Sequence, residues 1–331
     1  MRIVIAPDKF KGTLTARQAA DAMALAVRDR WPGAEIAIVP MADGGDGTLD
    51  ALGGANVHDE VTGPLGAPVR AAWRLDGRAA VIESAAASGL VLAGGATAND
   101  PWAATTRGVG ELIGLALDAG SVRVIVGTGG VAATDGGRGA IDALGDHVPF
   151  SAGQVTVLTD TTTTFVRAAE VFGPQKGADV DLVARLTRRL RADAADWTAR
   201  FGRDVGEVPR SGAAGGLSGA LLAAGAEVVD GAAYIAQALE LGEALTESDL
   251  VLTGEGAFDA TSLAGKGPGH VLTVAARHRV PSVVIAGVVA ADAVGSRVFS
   301  MSEVVGAERA LTDAADALRV TTTQALWQLD L

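Results

Sequence analysis

One stretch of the chain, residues 41–48, constrains the fold more than any other. It reads MADGGDGT and follows a short apolar run at residues 36–39 that predicts a β-strand. The glycines let the backbone turn tightly and approach a ligand closely, and Asp43 and Asp46 can hold a cation or orient a hydroxyl group. A strand-to-helix turn in which Asp46 or Thr48 caps the next helix explains the same residues. The rest of the sequence has to decide between a ligand-binding loop and an ordinary turn.

The same arrangement occurs at the N-terminus. The apolar residues 2–6 predict a strand, and residues 7–12, which read PDKFKG, predict the loop that leaves it. The residues that follow have the spacing of an amphipathic helix, and residues 35–39 complete a βαβ unit. Ligands bind beyond the carboxyl ends of strands in open parallel sheets. We therefore expect the loops at residues 8–12 and 42–47 to line the same edge.

The middle of the chain has a different pattern. Residues 69–75 and 79–83 predict a β-hairpin. Residues 182–201 predict a long helix, whose Arg188, Arg189 and Arg191 we interpret as a solvated face. The alternation of strands and helices then returns at residues 250–286, and Val304–Val305 is a candidate last strand. We predict an α/β protein with two domains, which comprise residues 1–62 plus 243–331 and the inserted residues 63–242.

Composition and charge exclude several classes of function. The formal net charge is −12 and the sequence pI is about 4.8, so most of the surface repels nucleic acid and anionic lipid. The absence of cysteine excludes disulfides, thiolate metal sites and cysteine nucleophiles. A strand begins at residue 2, and the most apolar run, residues 85–96, is too short and too rich in glycine to span a bilayer. The sequence predicts a soluble cytoplasmic protein and leaves a homodimer open.

Glycine and acidic residues recur together in loops along the whole chain. Glycines near helix N-termini expose the backbone N–H groups that bind phosphate, and carboxylates can hold Mg²⁺ or accept a proton. A kinase is therefore plausible from these residues alone. The sequence has neither a Walker motif nor GxGxxG after the first strand, and Ser84 and Ser88 lie in no GxSxG elbow. The four histidines lack the spacing of metal ligands, so surface or packing roles explain them better.

Six of these loops resemble, in order, those of the bacterial glycerate kinases of the glycerate 2-kinase type. The matching segments are residues 6–12 (APDKFKG), 42–48 (ADGGDGT), 83–90 (ESAAASGL), 172–178 (FGPQKGA), 212–217 (GAAGGL) and 253–256 (TGEG), the last with Asp259 and Gly265-Lys266. The resemblance implies a Rossmann/flavodoxin-like parallel-sheet domain with a second, inserted α/β domain. It also implies ATP-dependent, Mg²⁺-assisted phosphorylation of D-glycerate in a cleft between them.

The resemblance assigns expected roles to these loops. Asp160 looks like the general base beside the acceptor hydroxyl, although a strand-end cap also explains it; Lys11, Asp43 and Lys176 complete the candidate catalytic set. The candidate substrate-binding residues are Asp8, Lys9, Gly44, Gly45, Glu83, Ser84, Ser88 and Asp135. The candidate nucleotide- or phosphate-binding residues are Gly129, Gly130, Gly173, Gln175, Gly215, Gly216, Gly254, Glu255 and Lys266. The candidate metal ligands are Asp46 and Asp259, for which helix capping is the alternative role.

The chain departs from the family pattern in three places. Val131 and Thr134 stand where family members usually carry a serine and an asparagine. Residues 161–165 read TTTTF in place of the usual VTNPL, and the stretch between residues 145 and 155 is shorter. A paralogous kinase for another short hydroxy acid, or a non-catalytic ligand-binding homologue, therefore stays an alternative to a D-glycerate kinase.

Overall fold

The computed structural model describes residues 1–263, 266–293 and 297–329. Its strands are β1 (Arg2–Ile5), β2 (Glu35–Ile38), β3 (Val57–Thr62), β4 (Pro68–Asp76), β5 (Ala79–Glu83), β6 (Arg123–Gly127), β7 (Val155–Thr159), β8 (Glu227–Asp230), β9 (Leu250–Phe258), β10 (Ser282–Val289) and β11 (Val298–Ser300). Its α-helices are α1 (Ala16–Arg30), α2 (Thr48–Ala51), α3 (Ala85–Ser88), α4 (Arg107–Asp118), α5 (Arg138–Leu144), α6 (Ala168–Phe172), α7 (Val180–Phe201), α8 (Leu217–Ala223), α9 (Gly231–Ala238), α10 (Leu241–Leu245), α11 (Ala260–Leu263), α12 (Gly267–His278), α13 (Met301–Val305), α14 (Ala307–Thr312) and α15 (Ala314–Trp327).

The chain divides into two units, each built on one sheet. Unit 1 comprises residues 1–43, 50–52 and 232–331, and unit 2 comprises residues 44–49 and 53–231. In unit 1 the strands are parallel, in the order β11-β10-β9-β1-β2. β1 is fully buried at Ile3, Val4 and Ile5, because strands of a parallel sheet are covered on both faces. Helix α1 begins at a capping box between Thr15 and Gln18.

In unit 2 the sheet has the order β3-β4-β5-β6-β7-β8. The pairs β3–β4 and β4–β5 are antiparallel, and β5, β6, β7 and β8 are parallel. Its core joins strand residues such as Ile82 and Val157 to the inner face of α7, where Leu186 and Trp197 are buried. The carboxyl ends of the four parallel strands therefore lie in series along one edge.

The predicted α/β class and the β4–β5 hairpin are confirmed, but several details of the sequence interpretation differ from the structure. Val304–Val305 lie in helix α13, and the last strand is β11, three residues long and parallel to β10. Strands β3 and β8 were not predicted; both are partly exposed, so neither carries a long apolar run. Arg189 is not simply solvated, because its guanidinium donates to the carbonyls of Trp102 (2.8 Å) and Thr134 (2.6 Å).

The bounds of the units also differ from the predicted domain ranges of 1–62 plus 243–331 and 63–242. Residues 53–62 lie in unit 2 because β3 pairs with β4, and residues 44–49 lie there too, while residues 232–242 lie in unit 1. The assignment of the two units to separate folding domains stays a prediction. None of the helices in the described ranges combines the length and apolar composition that a membrane span requires.

Candidate functional site

The strand order of unit 1 identifies the position between β1 and β9 as the expected ligand-binding position of its sheet. The chain proceeds outward from β1 to β2 on one side and from β9 through β10 to β11 on the other. Such a reversal between adjacent parallel strands opens a crevice at their carboxyl ends, where ligands bind in open α/β sheets. The loop after β1 is fixed there, because the Asp8 N–H donates to the carbonyl of Gly254 in β9 (2.8 Å). The structure thus places Asp8 beside Glu255, although they are far apart in sequence.

Charged side chains crowd this position, which we call the switch-point crevice (Asp8, Lys9, Asp43, Glu255 and Lys266). The Lys9 ammonium lies 3.5 Å from Oδ1 of Asp8 and 3.6 Å from Oδ1 of Asp43. Asp8 also accepts a 2.6 Å hydrogen bond from the Lys9 N–H and is only 4% exposed. Burial raises the pKa of Asp8 to about 7; Lys9 opposes this rise, and the negative charges of Asp43 and Glu255 add to it.

Glu255 shares this electrostatic environment. Burial raises the pKa of its carboxyl group, while Ser262 and the Lys266 ammonium act in the opposite direction. Its Oε1 is buried and has no hydrogen-bond partner among the described residues. Such an atom is a candidate ligand for a cation, because a buried acceptor without a donor is costly.

The two predicted metal ligands lie in different units. Asp259 caps helix α11: its Oδ1 accepts from the N–H and hydroxyl groups of Thr261 (2.7 and 2.6 Å) and from the N–H of Ser262 (3.1 Å). These hydrogen bonds lower the pKa of Asp259. Asp46 is exposed in the loop of unit 2. In the described ranges, no three acidic, histidine or cysteine side chains are grouped as a metal site.

Unit 2 carries a second candidate location at the carboxyl ends of its parallel strands, which we call the glycine edge (Gly44, Gly45, Glu83, Gly129 and Asp160). The Thr128 N–H donates to the Gly44 carbonyl (2.8 Å), and Oε1 of Glu83 accepts from the Leu49 N–H (2.8 Å). These bonds hold the loop 44–49 against the ends of β5 and β6. The hydrogen bond between Glu83 and the Leu49 N–H positions the loop. Substrate binding by Glu83 stays a prediction.

Two glycines of this edge have no room for a side chain. A Cβ at Gly44, where φ is +92°, would lie 2.8 Å from the Cα of Gly231 and 3.0 Å from the N of Thr159. A Cβ at Gly129 would lie 3.0 Å from the Cα of Gly45. The bare backbone is therefore a packing requirement here.

Asp160 is exposed and follows β7 directly at this edge. The sequence interpretation missed its neighbour Arg210, whose guanidinium donates to the Thr159 carbonyl (3.3 Å) and to Oδ2 of Asp230 (2.9 Å). The only sequence signal at Arg210 was its place between a proline and the GAAGG segment. That signal does not reveal contacts with residues 20 and 51 positions away.

Lys176 and Asp135 form a buried polar network away from solvent. Lys176 is 3% exposed, and its ammonium donates to the carbonyl of Ala133 (2.6 Å). Burial lowers its pKa to about 8, against the opposite effect of Asp135. Asp135 accepts hydrogen bonds from the N–H groups of Thr106 (2.8 Å), Gly137 (3.1 Å) and Gly139 (3.2 Å). Both side chains hold the loop 131–137 in place, and their direct contact with a substrate stays a prediction.

The remaining predicted site residues range from buried glycines to exposed loop side chains. Gly215 and Gly216 are buried against the backbone of residues 133–136. Gly130, Gly173 and Gly254 lie where a loop, a helix end and β9 need a small residue, and Gln175 is exposed. Ser84 lies near Gly129, while the Ser88 hydroxyl is buried without a partner in the described ranges. Lys11 is exposed in the loop after β1, and Gly265 lies outside the described residues.

Comparisons with known proteins agree over nearly the whole chain. A family model described as the glycerate kinase family matches residues 3–155 and 149–329. The chain is 39% identical over 325 residues to glycerate 2-kinase from Escherichia coli (strain K12), covering 87% of this chain and 85% of the relative. It is 38% identical over 330 residues to glycerate kinase from Bacillus subtilis (strain 168), with coverages of 88% and 86%. A crystal structure from Salmonella typhimurium LT2, described as a glycerate kinase 2, superposes with a TM-score of 0.84 and 36% identity over 99% of this chain and 98% of that one.

Proposed function

The chain belongs to the glycerate kinase family, and we propose that it phosphorylates D-glycerate with ATP to give 2-phosphoglycerate. The hydroxyl oxygen of the acceptor forms a bond to the γ-phosphorus, and the bond from that phosphorus to the β,γ-bridging oxygen breaks. The electron pair of the broken bond leaves with ADP, and the hydroxyl proton passes to the carboxylate of Asp160. Family membership supports the kinase activity, and the 39% identical relative named a 2-kinase supports the choice of hydroxyl.

The observation that carries the proposal is the glycine edge of unit 2. Phosphoryl transfer needs backbone N–H groups that can approach phosphate closely and a carboxylate that can accept the acceptor's proton. Gly44, Gly45 and Gly129 place backbone without side chains at the strand ends, and Asp160 follows one of those strands. Asp160 is exposed, so it can reach a hydroxyl of a bound small molecule without moving out of a core.

Mg²⁺ fits the switch-point crevice as an ion that arrives with ATP. Mg²⁺ is usually bound by one or two carboxylates together with substrate phosphates, so the lack of a preformed set of three ligands in the described ranges is compatible with it. The Oε1 of Glu255, which has no hydrogen-bond partner within the described ranges, is the atom that we assign to this ion. Lys9 and Lys266 balance the neighbouring carboxylates. When bound, Mg²⁺ neutralises the charge that develops on the phosphates. Asp46 and Asp259 remain predicted ligands.

The candidate nucleotide- and phosphate-binding residues lie in both units, with Glu255 and Lys266 in unit 1 and Gly129, Gly130, Gly215 and Gly216 in unit 2. The prediction that these residues act together in a cleft between two domains follows from the family resemblance. A cytoplasmic location and a homodimer likewise stay predictions.

The alternative of another short hydroxy acid rests on residues 161–165, which directly follow Asp160, and on Val131 and Thr134. Val131 and Thr134 are buried, at 3% and 0% exposure, and the Thr134 hydroxyl lies 3.5 Å from the Lys176 ammonium. These two side chains therefore change the packing of the loop rather than an exposed surface, so they do not by themselves argue for a different substrate.

The test is an ADP-release assay with D-glycerate, L-glycerate and other short hydroxy acids, with and without Mg²⁺. We expect Mg²⁺-dependent turnover of D-glycerate, and a loss of about 10²–10⁴-fold in kcat for Asp160→Ala, the range for a general base. Asp142→Ala, an exposed aspartate on α5, is the matched control. Proton-coupled ³¹P NMR of the product distinguishes phosphate on the secondary carbon, a doublet, from phosphate on the primary carbon, a triplet. Binding without ADP release would contradict the kinase assignment, and turnover of a different acid alone would contradict the substrate.

A further inference from the structure

Arg210 combines an unfavourable backbone with a fixed side chain. Its φ is +74°, in the left-handed region where a glycine fits and an L-residue is strained. Strained residues persist where the surrounding structure holds them, and they are frequent at ligand sites. The peptide before Arg210 belongs to Pro209, and the residues after it lead into the buried GAAGG turn. An arginine at this position thus has an energetic cost that a glycine would avoid, so the backbone conformation alone does not explain why the side chain is there.

The guanidinium of Arg210 is held in place at the glycine edge. One nitrogen donates to the carbonyl of Thr159, the last residue of β7, and the other to Oδ2 of Asp230, the last residue of β8. The side chain is 24% exposed, so part of it faces solvent. A guanidinium has five N–H donors. The hydrogen bond to Asp230 fixes the orientation of the guanidinium, so the N–H donors that are not used in these two bonds also have a fixed direction.

The location of this cation matters because Thr159 immediately precedes Asp160. In a 2-hydroxy acid the carboxylate and the reacting hydroxyl are on adjacent carbons. A fixed cation beside the general base can therefore hold the carboxylate while the base faces the neighbouring oxygen. Lys176, a cation of the candidate catalytic set, is buried, and its ammonium donates to the Ala133 carbonyl.

We propose that Arg210 binds the carboxylate of the acid substrate and so directs the 2-hydroxyl toward Asp160. This inference rests on the proposed function, since it adds the group that recognises the anion at the same edge. Charge-assisted, bidentate hydrogen bonds to carboxylates are the typical use of an arginine fork. Asp230 is the positioning residue: its carboxylate fixes the guanidinium.

The experiment compares Arg210→Gly and Arg210→Lys with the wild type. Arg210→Gly suits the left-handed backbone, so folding is preserved while the guanidinium is removed. We expect KM for D-glycerate to rise at least tenfold, KM for ATP to stay unchanged, and Arg210→Lys to recover part of the loss. With D-glyceramide, which has no carboxylate charge, we expect wild type and Arg210→Gly to behave alike. Arg279→Gly is the matched control, because Arg279 is an exposed arginine with φ of +59° in unit 1.

Two kinetic outcomes overturn the proposal. An equal loss with the acid and the amide would indicate a structural role, and a rise confined to KM for ATP would indicate that Arg210 binds phosphate. Isothermal titration calorimetry with D-glycerate, L-glycerate and D-lactate is performed in parallel. If no acid is phosphorylated, the proposed function fails, while loss of acid binding in Arg210→Gly still supports this inference and unchanged binding rejects it.

Discussion

The switch-point crevice of unit 1 and the glycine edge of unit 2 both lie at the carboxyl ends of parallel strands, but they are built differently. In unit 1 the candidate chemistry is carried by interacting charges, which are buried at Asp8 and partly buried at Lys9 and Asp43. In unit 2 it is carried by bare backbone at Gly44 and Gly129 and by the exposed Asp160. The first location is therefore sensitive to protonation and charge, and the second to added volume. The comparison shows that the carboxyl ends of parallel strands can present interacting charges in one sheet and bare backbone in another.

The largest effect is expected from added volume at the glycine edge. Gly44→Ala places a Cβ 2.8 Å from the Cα of Gly231 in a left-handed backbone, so we expect unfolding to become easier by about 3–5 kcal/mol. Urea unfolding and the ADP-release assay measure this change. Gly54→Ala, with φ of +75° and no heavy atom within 4 Å of the new Cβ, is the matched control and should cost about 1–2 kcal/mol. Equal costs for the two variants would show that close packing does not define this edge.

A smaller, pH-dependent effect is expected from removing a buried charge in the crevice. The pKa of Asp8 is raised to about 7, so the folded state binds a proton that the unfolded state releases above its ordinary pKa of 3.8. The stability contributed by this proton is complete below pH 3.8 and is lost as the pH rises through 7. We expect Asp8→Asn to stabilise the protein by about 3 kcal/mol at pH 8 and to leave it unchanged at pH 4. The exposed Asp50 supplies the control, Asp50→Asn, and a gain independent of pH would contradict the assignment.

The smallest effect is expected from the pH dependence of stability at Lys176. This lysine sharpens the comparison because it is a buried charge in unit 2, where the candidate site otherwise consists of backbone and exposed side chains. Its pKa is lowered to about 8, so between pH 8 and 10.5 the unfolded state binds a proton that the folded state does not. Stability therefore rises with pH across this window. Relative to Lys176→Met, we expect wild-type stability to increase by about 2 kcal/mol from pH 8 to pH 10. Urea unfolding at both pH values measures the difference. With Lys11→Met as the exposed control, a flat difference would show that burial does not act on this ammonium.

The sequence determined much of the fold because its signals are local. The apolar runs at β1 and β9, the capping box at Thr15 and Gln18, and the spacing of α7 depend on neighbours within one or two turns. The loops that follow these elements were identified for the same reason, since glycines and acids cluster where strands end. The sequence interpretation failed at Val304–Val305, where a short apolar pair fits a helix turn as well as a strand.

The tertiary structure decided which of those loop residues meet and in what environment. Asp8 and Glu255 come together because β1 pairs with β9, and the pKa of Asp8 rises mainly because its carboxyl group is buried. Lys176 is sequestered from solvent, and Arg210 is positioned by Thr159 and Asp230. Periodicity and turn composition report on residues a few positions apart, whereas burial and charge pairing depend on distances across the sheet. Those distances exist only after the strands have taken their order.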